Sequence, residues 1–588
     1  MRHREEGQAD ESVALRVEVA GRTLGHVRRR LRVVPHGLDA VLAGSPGDLP
    51  PALPPYAAFA PLCCDSPIPV SQHMVMIGLR NWEARRGMTV QGRYGRTAKV
   101  MAAAAGLALS VSSCGLFGER GPVKIAAMGS LNPAATPLDG ELSAANAALL
   151  DATSQGLVGY DGEGQIDTGL ADRWTVTTDG RSYIFRLREA KWTNGRKVAA
   201  EDVAAILRSY LAPASRHVLK DDFPEVETIK AMSDTVIEIR LAVPQPALLE
   251  LLAQPSMAIV NKGMGWGPMR ARRIGRAVLL SPVPDPLAED PEAAEAAAHD
   301  PASSIELTGT SPAGALARFK NGYADGVIGG RFSTLPYFVA SNIGRSRLVV
   351  DPVPGLFGLS FVRAEGFLAT DTNREALVRA IRRERLVEAF GLAEWQPQVT
   401  LRPALYARDG GPAPLVPVWA EYDEASRVAQ AKRAVDAWRG AGRAIEPLRI
   451  AVPDTPGGRI LFAYVSADFA AIGVPSRRVA MASAADLRLI DEVAPNDDAL
   501  WALRRLSCRR DTLCNRDAQD LIDQATHNID PGQRAQQVNE AEAVLARYAP
   551  FIPLATPLRW SVASQRLTGL RANGRAQHPL NHLIALPN

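Results

Sequence analysis

Two cysteines six positions apart, Cys508 and Cys514, are the only thiols after residue 114. They could form a disulfide or share a metal. No Cys-x-x-Cys spacing and no histidine cluster stands near them, which weakens metal ligation. A short loop in an oxidising compartment favours the disulfide, worth roughly 2 kcal/mol by loop entropy. His578 and His582 are four apart, but Pro579 between them spoils a helical metal site. Two imidazoles alone are also a poor ligand set, so they read as structural or solvent-facing, and no metal or other cofactor is expected. Acids crowd the stretch from Asp491 to Asp498, yet spacing alone nominates no hydrolytic pair. The sequence contains no Gly-x-Ser-x-Gly, His-Glu-x-x-His or Walker-type Gly-x-x-x-x-Gly-Lys, and no dinucleotide Gly-x-Gly-x-x-Gly opening a helix. An enzyme is not expected.

Cys114 carries a different chemistry. Met88, the basic residues Arg93, Arg96 and Lys99, an apolar run from Val100 to Leu109 and then Val111-Ser112-Ser113-Cys114 have the layout of a secretory signal. Its apolar run is too short to span a bilayer. Residues 1–87, with Arg28-Arg29-Arg30, a Pro-rich run from Leu49 to Pro55 and the adjacent Cys63-Cys64, show no usable periodicity. A signal buried far inside a chain is poorly presented for export, so Met88 or a nearby upstream Met is a candidate true start, and 1–87 a doubtful extension, disordered or mis-called. N-terminal sequencing of the exported product tests this, and retention of residues before Met88 refutes it.

The elements that must position these residues belong to a long, near-neutral chain. Over 588 residues, 67 Lys+Arg face 63 Asp+Glu, 46% of residues are hydrophobic and mean hydropathy is -0.07. This balance argues against a polyanionic partner such as nucleic acid and against global disorder. No run approaches the roughly 18–20 apolar residues of a membrane span. From Lys124 onward, period-2 and helical patterns take turns, which predicts α/β layering. Arg181–Arg188 and Thr235–Leu241 read as half-buried strands, Glu201–Tyr210 and Asn373–Phe390 as helices, and Glu424–Trp438 as a helix stopping at Gly440. Ser281–Ser304, rich in Pro, Ala, Glu and Asp, reads as a surface excursion.

One dense block carries a resemblance. Gly156-Leu157-Val158-Gly159-Tyr160-Asp161, Gly169-Leu170-Ala171-Asp172-Arg173-Trp174, Thr178-Asp179-Gly180, Tyr183–Arg188, Lys191-Trp192-Thr193-Asn194-Gly195 and Ala200-Glu201-Asp202-Val203 follow in order. The succession resembles the family 5 extracellular solute-binding proteins, the dipeptide, oligopeptide and nickel receptors of ABC importers. Weaker echoes lie at Ala315–Val327, Asn373–Glu384 and Ala549–Leu554. Val111–Cys114 likewise resembles the bacterial lipobox, which makes Cys114 the lipidation site; other readings are a soluble periplasmic protein cleaved nearby or a chance apolar segment.

The resemblance implies an α/β, two-lobed periplasmic-binding-protein type II-like (cluster C) fold with an extra domain on the first lobe. Its expected bounds are 114–141, 258–355 and 548–588 for lobe I, 142–257 for the extra domain and 356–547 for lobe II. In place of the family's Gly-Thr-Gly-Pro-Tyr segment stands Gly265-Trp266-Gly267-Pro268-Met269, and the Asn-Pro-x-Tyr-Trp segment after it is missing. Peptide receptors of the family pair a far-lobe Asp with the ligand's α-ammonium, because a buried cation must be matched by a carboxylate. Asp491 is the first candidate here, with Asp497 and Asp498 in reserve; otherwise these are solvated strand-end acids. Trp266, Trp395 and Trp501 would line the pocket or serve as core. Leu131 and Asn132 fall where the family's first cleft loop lies, or form a plain turn.

The function so implied is capture of a peptide or similar small solute between two lobes by hinge closure, as a monomeric lipoprotein facing the periplasm or cell exterior. An ABC permease and ATPase are the implied partners. Loss of the cleft motif after Trp266 motivates an alternative, a decayed fold serving as an envelope scaffold or regulator.

Overall fold

The computed structural model describes residues 121–223, 225–284, 290–404, 411–510 and 512–583. The expected N-terminal extension 1–87, the expected lipoprotein signal peptide 88–113 and Cys114 lie outside the described residues. Two mixed sheets form the framework. In the first, of seven strands, Val123–Met128 runs parallel to Ile305–Thr310 on one side and to Gly326–Arg331 on the other. Ala277–Pro282 and then Met269–Ile274 extend one edge antiparallel; Arg559–Ala563 and then Leu348–Asp351 extend the opposite edge. The central strand is almost wholly buried, as expected where helices and loops cover both faces.

The second sheet has five strands in the order Ser476–Val479, Leu448–Ala451, Leu487–Val493, Gly355–Phe361 and Phe551–Ala555. The first three run parallel and the last two antiparallel to their neighbours. The chain leaves the first sheet after Asp351 to enter the second at Gly355, and leaves the second after Ala555 to re-enter the first at Arg559. Each crossing is short and proline-bearing, with Pro352 and Pro354 in one and Pro557 in the other, so φ is fixed at those positions. Gly355 ends the first crossing in close quarters: a β-carbon there would come within 2.1 Å of the Glu492 carbonyl oxygen. Aromatic rings pack beside the crossings, Phe332 on Phe357 at 4.7 Å and Trp395 on Phe357 at 5.3 Å between ring centres.

A third unit has its own core. Strands Ala171–Val176, Ser182–Leu187, Val236–Leu241 and Val226–Ser233 form an antiparallel sheet against helix Ala200–Leu211. Tyr183, Phe185 and Leu187 are buried, as are Ile237, Ile239 and Leu241, matching their alternation in sequence. Trp192 and the helix residues Val203 and Leu207 fill the same core. Helix Ala144–Ser154 instead places Ala145, Leu149 and Ala152 in the core of the seven-stranded sheet, and Phe551–Ala555 pairs within the five-stranded one. By these pairings 144–154 goes with the first lobe and 551–555 with the second, which differs from the expected bounds at 142 and 548.

The single helix expected over Asn373–Phe390 is two, Asp371–Ala380 and Arg383–Glu388. Ile381 takes extended backbone at the break. The Arg382 amide donates to Asp468 Oδ2 at 2.9 Å, and buried Arg383 donates to the carbonyls of Pro553 and Val378. Satisfying a buried guanidinium outweighs continuing the helix, because its donors would otherwise be stranded. Helix Glu424–Gly440 opens on an Asp423 cap accepting from the Ser426 amide and includes Gly440 as its last residue. Within the Ser281–Ser304 excursion, Pro291–His299 is helical and largely exposed.

Candidate functional site: a cavity between the sheets

A cavity of about 730 Å³ is lined by residues from both large sheets, from the third unit and from the loop 575–578. One wall is a single face of helix Ala144–Ser154. Ala144, Ala147, Ala148 and Asp151 follow the i, i+3, i+4, i+7 spacing that aligns side chains along a helix, and all four line the space. The helix starts cleanly, with Ser143 Oγ accepting from the Asn146 amide at 3.2 Å. The end of strand Leu487–Val493 contributes Leu489, Asp491 and Glu492, and Trp501 follows from helix Leu500–Arg505.

Ion pairs set the electrostatics. Arg559 reaches across from the first sheet to Asp491 in the second, Nη1 to Oδ1 at 2.7 Å and Nη2 to the backbone oxygen at 3.0 Å. Arg505 grips Glu492 with two bonds of 2.7 Å. Arg510 pairs with Asp222 of the third unit at 2.9 Å, and Arg331 with Glu141 at 3.1 Å. Arg575 binds Asp497 through both guanidinium nitrogens at 2.9 and 2.6 Å and approaches Glu250 at 3.2 Å. Burial pushes the Asp222 and Glu250 carboxyls above the usual carboxylate range, against the opposing pull of Arg510 and Arg575 respectively.

Asp151 is the exception. It is 7% exposed, and among the described residues no hydrogen bond or ion pair reaches its carboxylate. Burial raises its pKa to about 7 with no neighbouring charge to oppose the shift. Trp501 is 3% exposed, and among the described residues no acceptor reaches its indole N–H.

Of the residues singled out in the sequence, Asp491 and Trp501 line the cavity together. Asp497 lies outside the lining and holds Arg575, which is part of it. Asp498 is a buried hub: it accepts from Arg504 at 2.6 Å, from Arg534 at 2.8 Å and from Gln245 of the third unit at 3.3 Å. Burial would raise its pKa, but Arg504 and Arg534 prevail and hold it at about 2. Trp266 is in the third unit's core and donates to the Gln155 carbonyl at 2.9 Å. Trp395 is in the core beside the crossings and donates to the Thr556 carbonyl at 2.7 Å. Leu131 is half-buried on the first sheet's core and Asn132 is exposed, its side chain accepting from the Ala134 amide; neither lines the cavity. Cys508 and Cys514 are joined, with their α-carbons 4.8 Å apart. His578 faces Asp351 at 3.2 Å and borders the cavity. Asp151 went unnoticed in the sequence, although three alanines and an acid at helical spacing were a readable sign of a close-approach face.

Two α/β lobes joined by paired crossings around a cavity define a bilobed binding protein. Residues 165–475 match the bacterial extracellular solute-binding proteins, family 5, and the chain belongs to that family. Among solved structures, Haemophilus influenzae OppA in complex with the peptide RPPGFSPFR aligns over 79% of this chain and 98% of its own, with a TM-score of 0.64 at 15% identity. The Escherichia coli murein tripeptide-binding protein MppA aligns over 78% and 98%, with a TM-score of 0.66 at 17% identity. The Escherichia coli nickel-binding periplasmic protein is 33% identical over 100 residues, 17% of this chain and 19% of that protein. At most about a quarter of the length of these curated relatives is spanned by the matches.

Proposed function

We propose that this chain captures a peptide or similar small solute in the cavity between its lobes and hands it to an ABC permease driven by an ATPase. The observation that carries this reading is the 730 Å³ cavity walled by both sheets, which are joined by two short crossings. Rotation about 352–354 and 556–558 would open and shut it, and a ligand touching both walls would favour the shut form. Asp491 and Trp501 would touch ligand, a reading supported by their presence in the cavity lining, and Asp497 would act through Arg575. The reading includes export, removal of the signal and lipidation of Cys114, so that the protein works as a membrane-tethered monomer without catalysing a reaction. Among the described residues no helix is long and apolar enough to cross a membrane.

A thermal-shift screen against di- to pentapeptides, nickel chelates and sugars tests the capture reading. Saturable stabilisation following RT ln(1+[L]/Kd) is expected for at least one class. Silence across the panel favours the second reading, a scaffold or regulator of the envelope. Arg510–Asp222, an ion pair between two lining residues of different units, and Arg575–Asp497, which occupies a lining arginine, speak for that reading.

A further inference from the structure

We infer that Asp151 is the ligand-recognition carboxylate of this cavity and that the solute it selects carries a positively charged nitrogen, an ammonium or a guanidinium. This rests on the capture reading and deepens it. Five arginines line the cavity, and each already faces a carboxylate. An anionic solute would therefore have to displace an existing partner to be neutralised. Asp491, the acid first expected to meet a ligand cation, is engaged by Arg559 through its side chain and its backbone oxygen.

Asp151 alone among the lining acids has no such partner among the described residues, although it is nine-tenths buried. A largely buried carboxylate that no protein group pairs is costly to ionise, and a bound cation would lift that cost. Its elevated pKa of about 7 reports the same unmet demand for a counter-charge. The site is also shaped for an approaching group: Ala147 and Ala148, one turn and less before Asp151 on the helix, leave the space above it open. Trp501, with its unengaged indole N–H, lines the same cavity and offers an apolar face or a donor to the rest of the solute.

The experiment is titration calorimetry on the wild-type protein and on Asp151→Asn, which is nearly isosteric but carries no charge. Probes are a mixed di- to pentapeptide library built without Lys, Arg or His and with free N-termini, the same library N-acetylated and therefore without a cation, agmatine as a non-peptide cation, and a panel of neutral sugars. The expected result is that the free-amine library or agmatine binds the wild type at least about tenfold more tightly than the neutral probes, a preference lost in Asp151→Asn. Which of the two binds identifies the source of the cation. Equal binding of acetylated and free peptides, selective binding of sugars, or undiminished cation binding by Asp151→Asn overturns this inference and leaves solute capture standing. No binding of any probe overturns both. The comparison of free with acetylated peptide uses only the wild type, so it holds even if the variant folds poorly.

Discussion

At the scale of single residues, two buried aspartates differ in sign. Asp151 has a folded-state pKa of about 7 against 3.8 for the free side chain. A raised value means that its contribution to stability is full below the unfolded pKa and is lost as pH rises through the folded one. Asp151→Asn removes this dependence. Its stability relative to wild type is expected to rise by about 3 kcal/mol between pH 5 and pH 8, read by urea unfolding at both. Asp498, held at about 2, behaves oppositely: its contribution is present above 3.8 and is lost as pH falls through 2. Asp498→Asn leaves Arg504 and Arg534 facing an uncharged group, with an expected cost of about 3–5 kcal/mol at pH 7 that shrinks toward pH 2. A pH-independent difference would contradict the assignment.

Among elements, the stretch around residue 402 is tied to helix Pro531–Tyr548 by a fully buried ion pair. Arg402 Nε and Nη2 reach Glu542 Oε2 at 2.9 and 2.7 Å, and the Leu415 amide donates to the same oxygen at 2.9 Å. Glu542→Ala strands the guanidinium and is expected to cost about 3–5 kcal/mol, while Arg402→Met with Glu542→Leu should recover most of it, both measured by chemical denaturation. Reduction of Cys508–Cys514 should cost roughly 2 kcal/mol, visible as a lower Tm under dithiothreitol. Strands and short helices were legible in the sequence because their periodicity is local: Tyr183, Phe185 and Leu187 announced their face without help from the rest of the chain. The break at Ile381 was not, because its cause, the bonds of Arg382 and Arg383 to Asp468 and Pro553, lies 86 and 170 positions away. The candidate site was legible only in part for the same reason. Asp491 could be nominated only through the family resemblance, and its engagement by Arg559 and the isolation of Asp151 are facts of tertiary assembly.

For the whole molecule, the proposed opening motion must break the ties between opposite walls. Arg510→Ala, which removes the bonds to Asp221 and Asp222, is expected to enlarge the radius of gyration of the ligand-free protein in small-angle scattering, and a saturating ligand should restore the smaller value. An unchanged profile would show that this tie does not hold the lobes together. The double crossing has a further consequence for how the chain reaches its fold. Arg559–Ala563 is inserted between Gly326–Arg331 and Leu348–Asp351, so the first sheet stays split until those late residues arrive. A polypeptide emerging from the ribosome therefore lacks a keystone until synthesis has passed Ala563. Such late completion makes a C-terminal truncation that reaches this strand a global lesion rather than a local one.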